Sequence, residues 1–263
     1  MALMQIYLLG LVPLSFAALL TWLISLVKRN VAIVDSLWSL MFVFAAYTYA
    51  LEAAELSHRA RLVLALVSVW GARLAIHITW RNWGHGEDRR YQAIRARNEP
   101  RFAWKSLYLV FGLQAVLAWI ISLPLLAAIV GLDARNEGHL GALDAAGAAL
   151  WLIGFVFEAG GDWQLVRFKA DPRNRDKVMD RGFWRWTRHP NYFGDFCVWW
   201  GLYLLALAAG GWWSFVGPVI MSILLMRVSG VALLEKDIVE RRPKYADYVR
   251  RTNAFFPGPG KKA

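Results

Sequence analysis

Runs of apolar residues at 3–27, 31–51, 62–81, 107–130, 140–159, 192–209 and 211–234 govern what this chain can fold into. Each approaches or exceeds the roughly 20 residues that carry a helix across the hydrocarbon core of a bilayer. Inside lipid a backbone must satisfy its own hydrogen bonds, which helices do within a single segment. Hydrophobic residues make up 58% of the 263, above the roughly half expected of a soluble domain. The reading is an all-α integral membrane protein with seven transmembrane helices. It forms a single membrane-embedded domain over residues 1–263, with no Pro/Gly/Ser-rich linker and no internal repeat. Gly210-Gly211 and Pro218 divide the last two runs into a tight hairpin rather than one long helix.

The net charge of +11 is unevenly placed. Lys28-Arg29, the segment from Arg81 to Lys105, the segment from Arg167 to Arg188 and the tail from Lys236 to Lys262 are basic. The alternate connections hold only Arg59, Arg61 and Arg135, beside Glu52, Glu55, Asp133 and Glu137. Seven spans put every basic segment on one side, and the positive-inside rule then sets the N-terminus outside and the C-terminus in the cytoplasm. The first run has its cations after it, which argues for a retained span over a cleaved signal peptide. Topology thus accounts for much of the charge, and the part from Asp162 to Asp195, with Arg73 behind it, reads as a dinucleotide cradle. The lipid bilayer is the expected partner and nucleic acid is not. The single cysteine, Cys197, excludes an internal disulfide.

Ionisable residues inside spans are costly and mark either function or a buried pair. Asp35 lies early in the second run, and Arg73 and His77 lie in the third, with Trp70 and Arg81 on the same face. Glu158 and Asp162 close the fifth, Asp195 opens the sixth and Glu235 closes the seventh. Asp35 with Arg73 could instead be a structural pair, and Arg81, Asp162 and Glu235 could snorkel to the interface. Trp184 and Trp186 fit an interfacial aromatic belt. The histidines lack metal-ligand spacing, so no metal is expected, and Gly84-His85-Gly86-Glu87-Asp88 reads as a flexible acidic turn. Cations from Arg167 to Arg188 suit phosphates. Asn191 and Asp195, one helical turn apart, could hydrogen-bond a carboxamide or a ribose. The tail from Glu235 to Pro257 reads as a short amphipathic helix folded back on the basic face.

Arg188-His189-Pro190-Asn191-Tyr192-Phe193-Gly194, followed by Glu235, Tyr245, Tyr248 and Pro257, resembles the superfamily of steroid 5α-reductases, sterol C=C reductases and isoprenylcysteine carboxyl methyltransferases. Further features resemble a bacterial, steroid 5α-reductase-like branch, DUF1295. They are Val34-Asp35-Ser36-Leu37-Trp38, Trp70-Gly71-Ala72-Arg73-Leu74, Gly86-Glu87-Asp88-Arg89-Arg90-Tyr91, Gln114, Ser122-Leu123-Pro124 and Asp162-Trp163-Gln164.

The resemblance implies an NADPH-dependent oxidoreductase acting on a CH–CH group. Hydride would go to the C=C bond of an enone in a lipid-soluble, steroid- or isoprenoid-like substrate. It implies cofactor contacts at Arg73, Asp162, Lys169, Lys177, Arg188, His189, Asn191, Tyr192, Asp195, Trp199, Glu235 and Tyr248, most of them in the half of the chain from about residue 140 onward. The steroid reductases' Gln-Glu pair falls here on Val34-Asp35, and their ketone-binding Tyr falls on Trp70. Tryptophan cannot supply a proton as a phenol can. The catalytic candidates are therefore Asp35, Trp70 and Tyr91, with His77 as a further possible donor. Glu235-Lys236 departs from the Glu-Glu pair of the methyltransferases, leaving S-adenosylmethionine-dependent lipid methyl transfer as the alternative activity. Helical spans and the bacterial resemblance point to an inner (plasma) membrane. Oligomeric state stays open.

Overall fold

The computed structural model of the protein describes residues 2–131, 139–228 and 244–260. Every regular element among the described residues is helical. Among the described residues five helices are long and apolar enough to cross a bilayer: Leu3–Lys28, Val31–Glu52, His58–Asn82, Phe102–Ile121 and Ala142–Ala170, with a shorter apolar stretch at Trp212–Val228. Only 28% of the most apolar window of the first is buried, and side chains such as Val12 and Phe16 stand exposed. An apolar surface of that extent faces lipid. The chain is an all-α integral membrane protein.

The residues group into two compact units, Met1–Gly141 with Leu205–Val216, and Ala142–Leu204 with Gly217–Ala263. In the first unit, helix α2 (Val34–Glu52) packs between α1 (Leu3–Lys28) and α3 (His58–Asn82). Met41, Phe42, Ala45, Ala46 and Tyr49 of α2 are fully enclosed. A Cβ at Gly71 of α3 would lie 2.6 Å from Val43 Cγ2, so the two helices cross closely there, and Ser39 Oγ donates to the Gly71 carbonyl at 2.8 Å. A surface helix, α4 (Arg89–Asn98), follows α3.

The fourth span differs from the continuous run expected at 107–130. Helix α5 (Phe102–Ser106) passes through a π-helical stretch, Leu107–Gly112, into α6 (Leu113–Ile121). The helix breaks at Ser122 and restarts as α7 (Leu123–Val130). Pro124 explains the break: it has no N–H to give, and its ring crowds the carbonyl four residues back. Ser122 turns its hydroxyl to the Trp119 carbonyl at 2.7 Å and meets Tyr49 Oη at 2.8 Å.

In the second unit, α8 (Ala142–Ala170) runs well past the expected end at residue 159. Nothing in Asp162-Trp163-Gln164-Leu165-Val166-Arg167-Phe168-Lys169 breaks a helix, Arg167 and Lys169 complement the C-terminal dipole, and Pro172 stops it. Glu158 and Asp162 therefore lie within the helix rather than at its end. Helix α9 (Pro190–Ala208) starts on a proline, whose fixed φ suits a first helical turn. It meets α8 so closely that a Cβ at Gly194 would lie 2.4 Å from the Glu158 nitrogen, and one at Gly154 2.5 Å from the Gly194 oxygen. Helix α10 (Val216–Ile223) lies within the last apolar stretch, Trp212–Val228. The amphipathic tail helix forms as expected, at α11 (Lys244–Arg251).

Candidate functional site

In the first unit the polar chemistry is organised by the segment before α4. Asp88 caps that helix, accepting from the Arg90 backbone N–H at 2.9 Å and from Arg90 Nε at 3.0 Å. Glu87 accepts from the Val31 N–H at 2.9 Å and from Arg95 Nε and Nη2, both at 2.8 Å. This corrects the expectation of a flexible turn: bidentate pairing with Arg95 ties the loop to α4, and the Val31 N–H ties it to the turn that precedes α2. Burial alone would raise the Glu87 carboxyl, but the Arg95 guanidinium and the Val31 N–H outweigh it and hold it below the usual carboxylate range. Asp88 is lowered likewise, burial being overcome by Arg90.

So fixed, α4 aims two side chains at α2. Arg90 Nη2 donates to Asp35 Oδ2 at 2.9 Å. The Tyr91 hydroxyl donates to Asp35 Oδ1 at 2.5 Å, and Gln114 Nε2 of α6 donates to the Tyr91 oxygen at 3.1 Å. Tyr91 is buried, and burial together with the Asp35 carboxylate pushes its phenol well above its ordinary value. Burial opposes the charge on Arg90, yet Asp35 and Asp88 more than offset that and keep the guanidinium protonated. Two of the expected catalytic residues, Asp35 and Tyr91, thus meet directly. Trp70 is not a partner of Asp35; it is enclosed in α3 with its ring 5.9 Å from that of Phe42. Arg73 does not take the pairing with Asp35 that the sequence allowed; Arg90 does. Arg73 and His77 lie half-buried on α3.

The same unit carries a cleft of about 520 Å³ lined by Leu40, Ala72, Ala75, Ile76, Thr79, Trp80 and Trp83. Its lining is apolar apart from Thr79 and the indole N–H groups, and it does not include Asp35 or Tyr91.

In the second unit, Asn191 Nδ2 donates to Asp162 Oδ1 at 3.2 Å, joining the start of α9 to α8. Asp162 and Asp195 are buried and Trp199 is wholly enclosed. The His189 and Tyr192 rings lie nearly parallel, centroids 5.7 Å apart. Lys169 and Lys177 are exposed. Arg188 and Tyr248 serve the tail: Arg188 Nη1 donates to the carbonyls of Val249 at 3.1 Å and Thr252 at 2.5 Å, capping the end of α11. Tyr248 Oη donates to the Trp184 carbonyl at 2.5 Å. Trp184 is buried rather than interfacial, with its indole N–H on the Gly161 carbonyl at 3.0 Å. Glu235 lies outside the described residues. Among those residues no three His, Cys, Asp or Glu side chains come together as a metal site.

Arg90, Gln114 and Glu87 were not singled out as site residues. The signal that could have found them was the resemblance itself, whose matching segments include Gly86-Glu87-Asp88-Arg89-Arg90-Tyr91 and Gln114.

Helical spans, a basic connecting loop and buried ionisable side chains define a polytopic membrane protein with the makings of a polar site. The chain belongs to the DUF1295 family, a protein of unknown function, matched over residues 21–252. It is similar to a protein of Schizosaccharomyces pombe described as "Uncharacterized protein C594.04c", 25% identical over 270 aligned positions that cover 90% of this chain and 75% of the relative. No solved structure matches it.

Proposed function

We propose that the protein is an NADPH-dependent membrane oxidoreductase that reduces a polarised C=C bond of a lipid-soluble substrate. The observation that carries this reading is the 2.5 Å bond between the Tyr91 hydroxyl and Asp35. A reductase of an enone needs an acid at the carbonyl oxygen; a methyltransferase does not. With tryptophan at position 70, Tyr91 is the phenol that supplies it.

Bound NADPH would supply the hydride. Tyr91 gives its hydrogen to the carbonyl oxygen as negative charge develops there. Asp35 stays ionised against Arg90 and holds the phenol in place while water returns a proton to the Tyr91 oxygen, and the enol becomes the saturated ketone by taking a proton from water at its α-carbon as its hydroxyl proton returns to water. Arg90 positions the carboxylate. General acids of this kind contribute about 10²–10⁴-fold to rate.

The cofactor would lie on the second unit. The Asp162–Asn191 bond supports this: it orients the Asn191 amide and leaves its carbonyl and second N–H able to meet a carboxamide. Lys169 and Lys177 are exposed cations suited to phosphate. Arg188 and Tyr248 spend the bonds described above on the tail, so they act by holding that segment in place. The same reading takes seven spans with the N-terminus outside and the C-terminus cytoplasmic, α9 as the sixth, in a plasma membrane.

Thermal-shift titration of the detergent-purified protein with NADPH, NADH and S-adenosylmethionine tests the reading. A ligand at a hundred times its Kd stabilises the folded state by about 2.7 kcal/mol. NADPH should do so selectively, and Asn191→Ala or Asp195→Ala should abolish the effect. Stabilisation by S-adenosylmethionine instead would mean methyl transfer.

A further inference from the structure

Gln114 sits in the apolar helix α6, and its orientation follows from a chain of constraints. Asp35, ion-paired with Arg90, is a carboxylate and can only accept. The Tyr91 hydroxyl must therefore turn its hydrogen to Asp35. Its oxygen then has only lone pairs to offer, so Gln114 must present its Nε2 donor there. Turning the amide over would set two lone pairs face to face. Gln114 Oε1 is consequently directed away from Tyr91, and it is buried with no hydrogen-bond partner. Native proteins rarely leave such an atom unmatched, and an exception calls for a functional explanation.

We propose that Gln114 is the specificity-determining residue of this site, and that the lipid it selects carries a hydroxyl beside its reacting group. The inference rests on reading Asp35 and Tyr91 as the substrate end of the site. A hydroxyl supplies the hydrogen that Oε1 lacks; an ether or a bare carbonyl brings only more lone pairs. The ion pair at one end of the chain thus sets the polarity demanded at the other, three side chains away. Gln114 as a residue is only partly covered.

The test uses the full-length protein in nonionic detergent without cofactor. Oleyl alcohol and oleyl methyl ether are titrated by thermal shift; they differ in one hydrogen-bond donor. The alcohol should bind about tenfold more tightly, the worth of one hydrogen bond to a buried acceptor. Gln114→Leu should remove that preference. The near-isosteric Gln114→Met should do the same and stands in if the leucine variant fails to fold. Equal affinities in the unaltered protein would mean that a trapped water serves Oε1, and would overturn the proposal. Absence of saturable binding by either probe, or an alcohol preference that survives both substitutions, would overturn it too. NADPH is added in a separate arm. A missing NADPH shift beside an intact alcohol preference would sink the reductase reading and leave the selection of a hydroxyl standing.

Discussion

In the first unit one cluster of polar side chains is bonded side chain to side chain. Asp35, Arg90, Tyr91 and Gln114 come from α2, α4 and α6, and each bond between them joins one side chain to another. In the second unit the motif residues mostly face backbone. Arg188 bonds the carbonyls of Val249 and Thr252, Tyr248 that of Trp184, and Thr187 that of Phe255 at 2.8 Å. Side-chain pairs can trade protons and take up new partners. Side-chain bonds to carbonyls fix the course of a loop. The contrast assigns Arg188 and Tyr248 to fastening the tail, and the proposed proton chemistry to Asp35 and Tyr91.

Tyr91→Phe breaks this comparison most sharply. It removes one hydroxyl and keeps the ring, so turnover should fall by about 10²–10⁴-fold, while NADPH should stabilise the variant as it does the parent. Turnover within a factor of a few of the parent would show that the phenol only packs. Arg188→Ala should do the reverse. It strands buried carbonyls at the end of α11, an expected loss of about 3 kcal/mol. Limited proteolysis should then cut within residues 244–260, a segment that Tyr91→Phe leaves protected. A tail equally resistant in the Arg188 variant would mean that the cap is dispensable.

These contrasts also mark what could be read in advance. The positions of the five long apolar helices among the described residues followed from apolar length, because lipid rewards little else. The extension of α8 to Ala170 was missed because its last turns are polar and hydropathy ends before the helix does. The break at Ser122 was missed because Pro124 sits in a run apolar throughout. Asp35 and Tyr91 were each visible as candidates, but their meeting was not, since they lie 56 residues apart and join a span to a surface helix. Arg188 looked like one more phosphate-seeking cation because its acceptors are carbonyls, which every residue possesses. Glu87 looked loose because an acid in a glycine-containing loop gives no hint that Arg95 will reach back to it.

The close crossing of α8 and α9 yields a smaller effect. Gly194→Ala would drive a methyl group to 2.4 Å from the Glu158 nitrogen. Overpacking of that kind costs about 1–3 kcal/mol. Since Asn191 and Asp162 bond across the same crossing, NADPH affinity should weaken along with thermal stability. Lost stability with unchanged NADPH affinity would separate the crossing from the cofactor.

The smallest effect concerns the clasp beneath the first unit's chain. Glu87 has a folded-state value below the ordinary one because Arg95 and the Val31 N–H outweigh its burial. Above the unfolded value of about 4.3 both states are ionised and the clasp contributes fully. As pH falls through that value the unfolded chain takes up the proton first, so this stability is progressively lost on the acid side until the folded carboxyl is protonated as well. Glu87→Gln should cost about 1 kcal/mol at neutral pH, the worth of a partly exposed ion pair. It should also flatten the dependence of the unfolding temperature on pH between neutral and acid. If the clasp matters only because it sets α4, the variant should lose turnover in the same proportion at every pH. If turnover falls more steeply on the acid side than in the parent, Glu87 supports the charge on the Arg90–Asp35 pair as well as its position, and the contrast drawn between proton-trading side chains and fastening side chains then runs through the first unit itself.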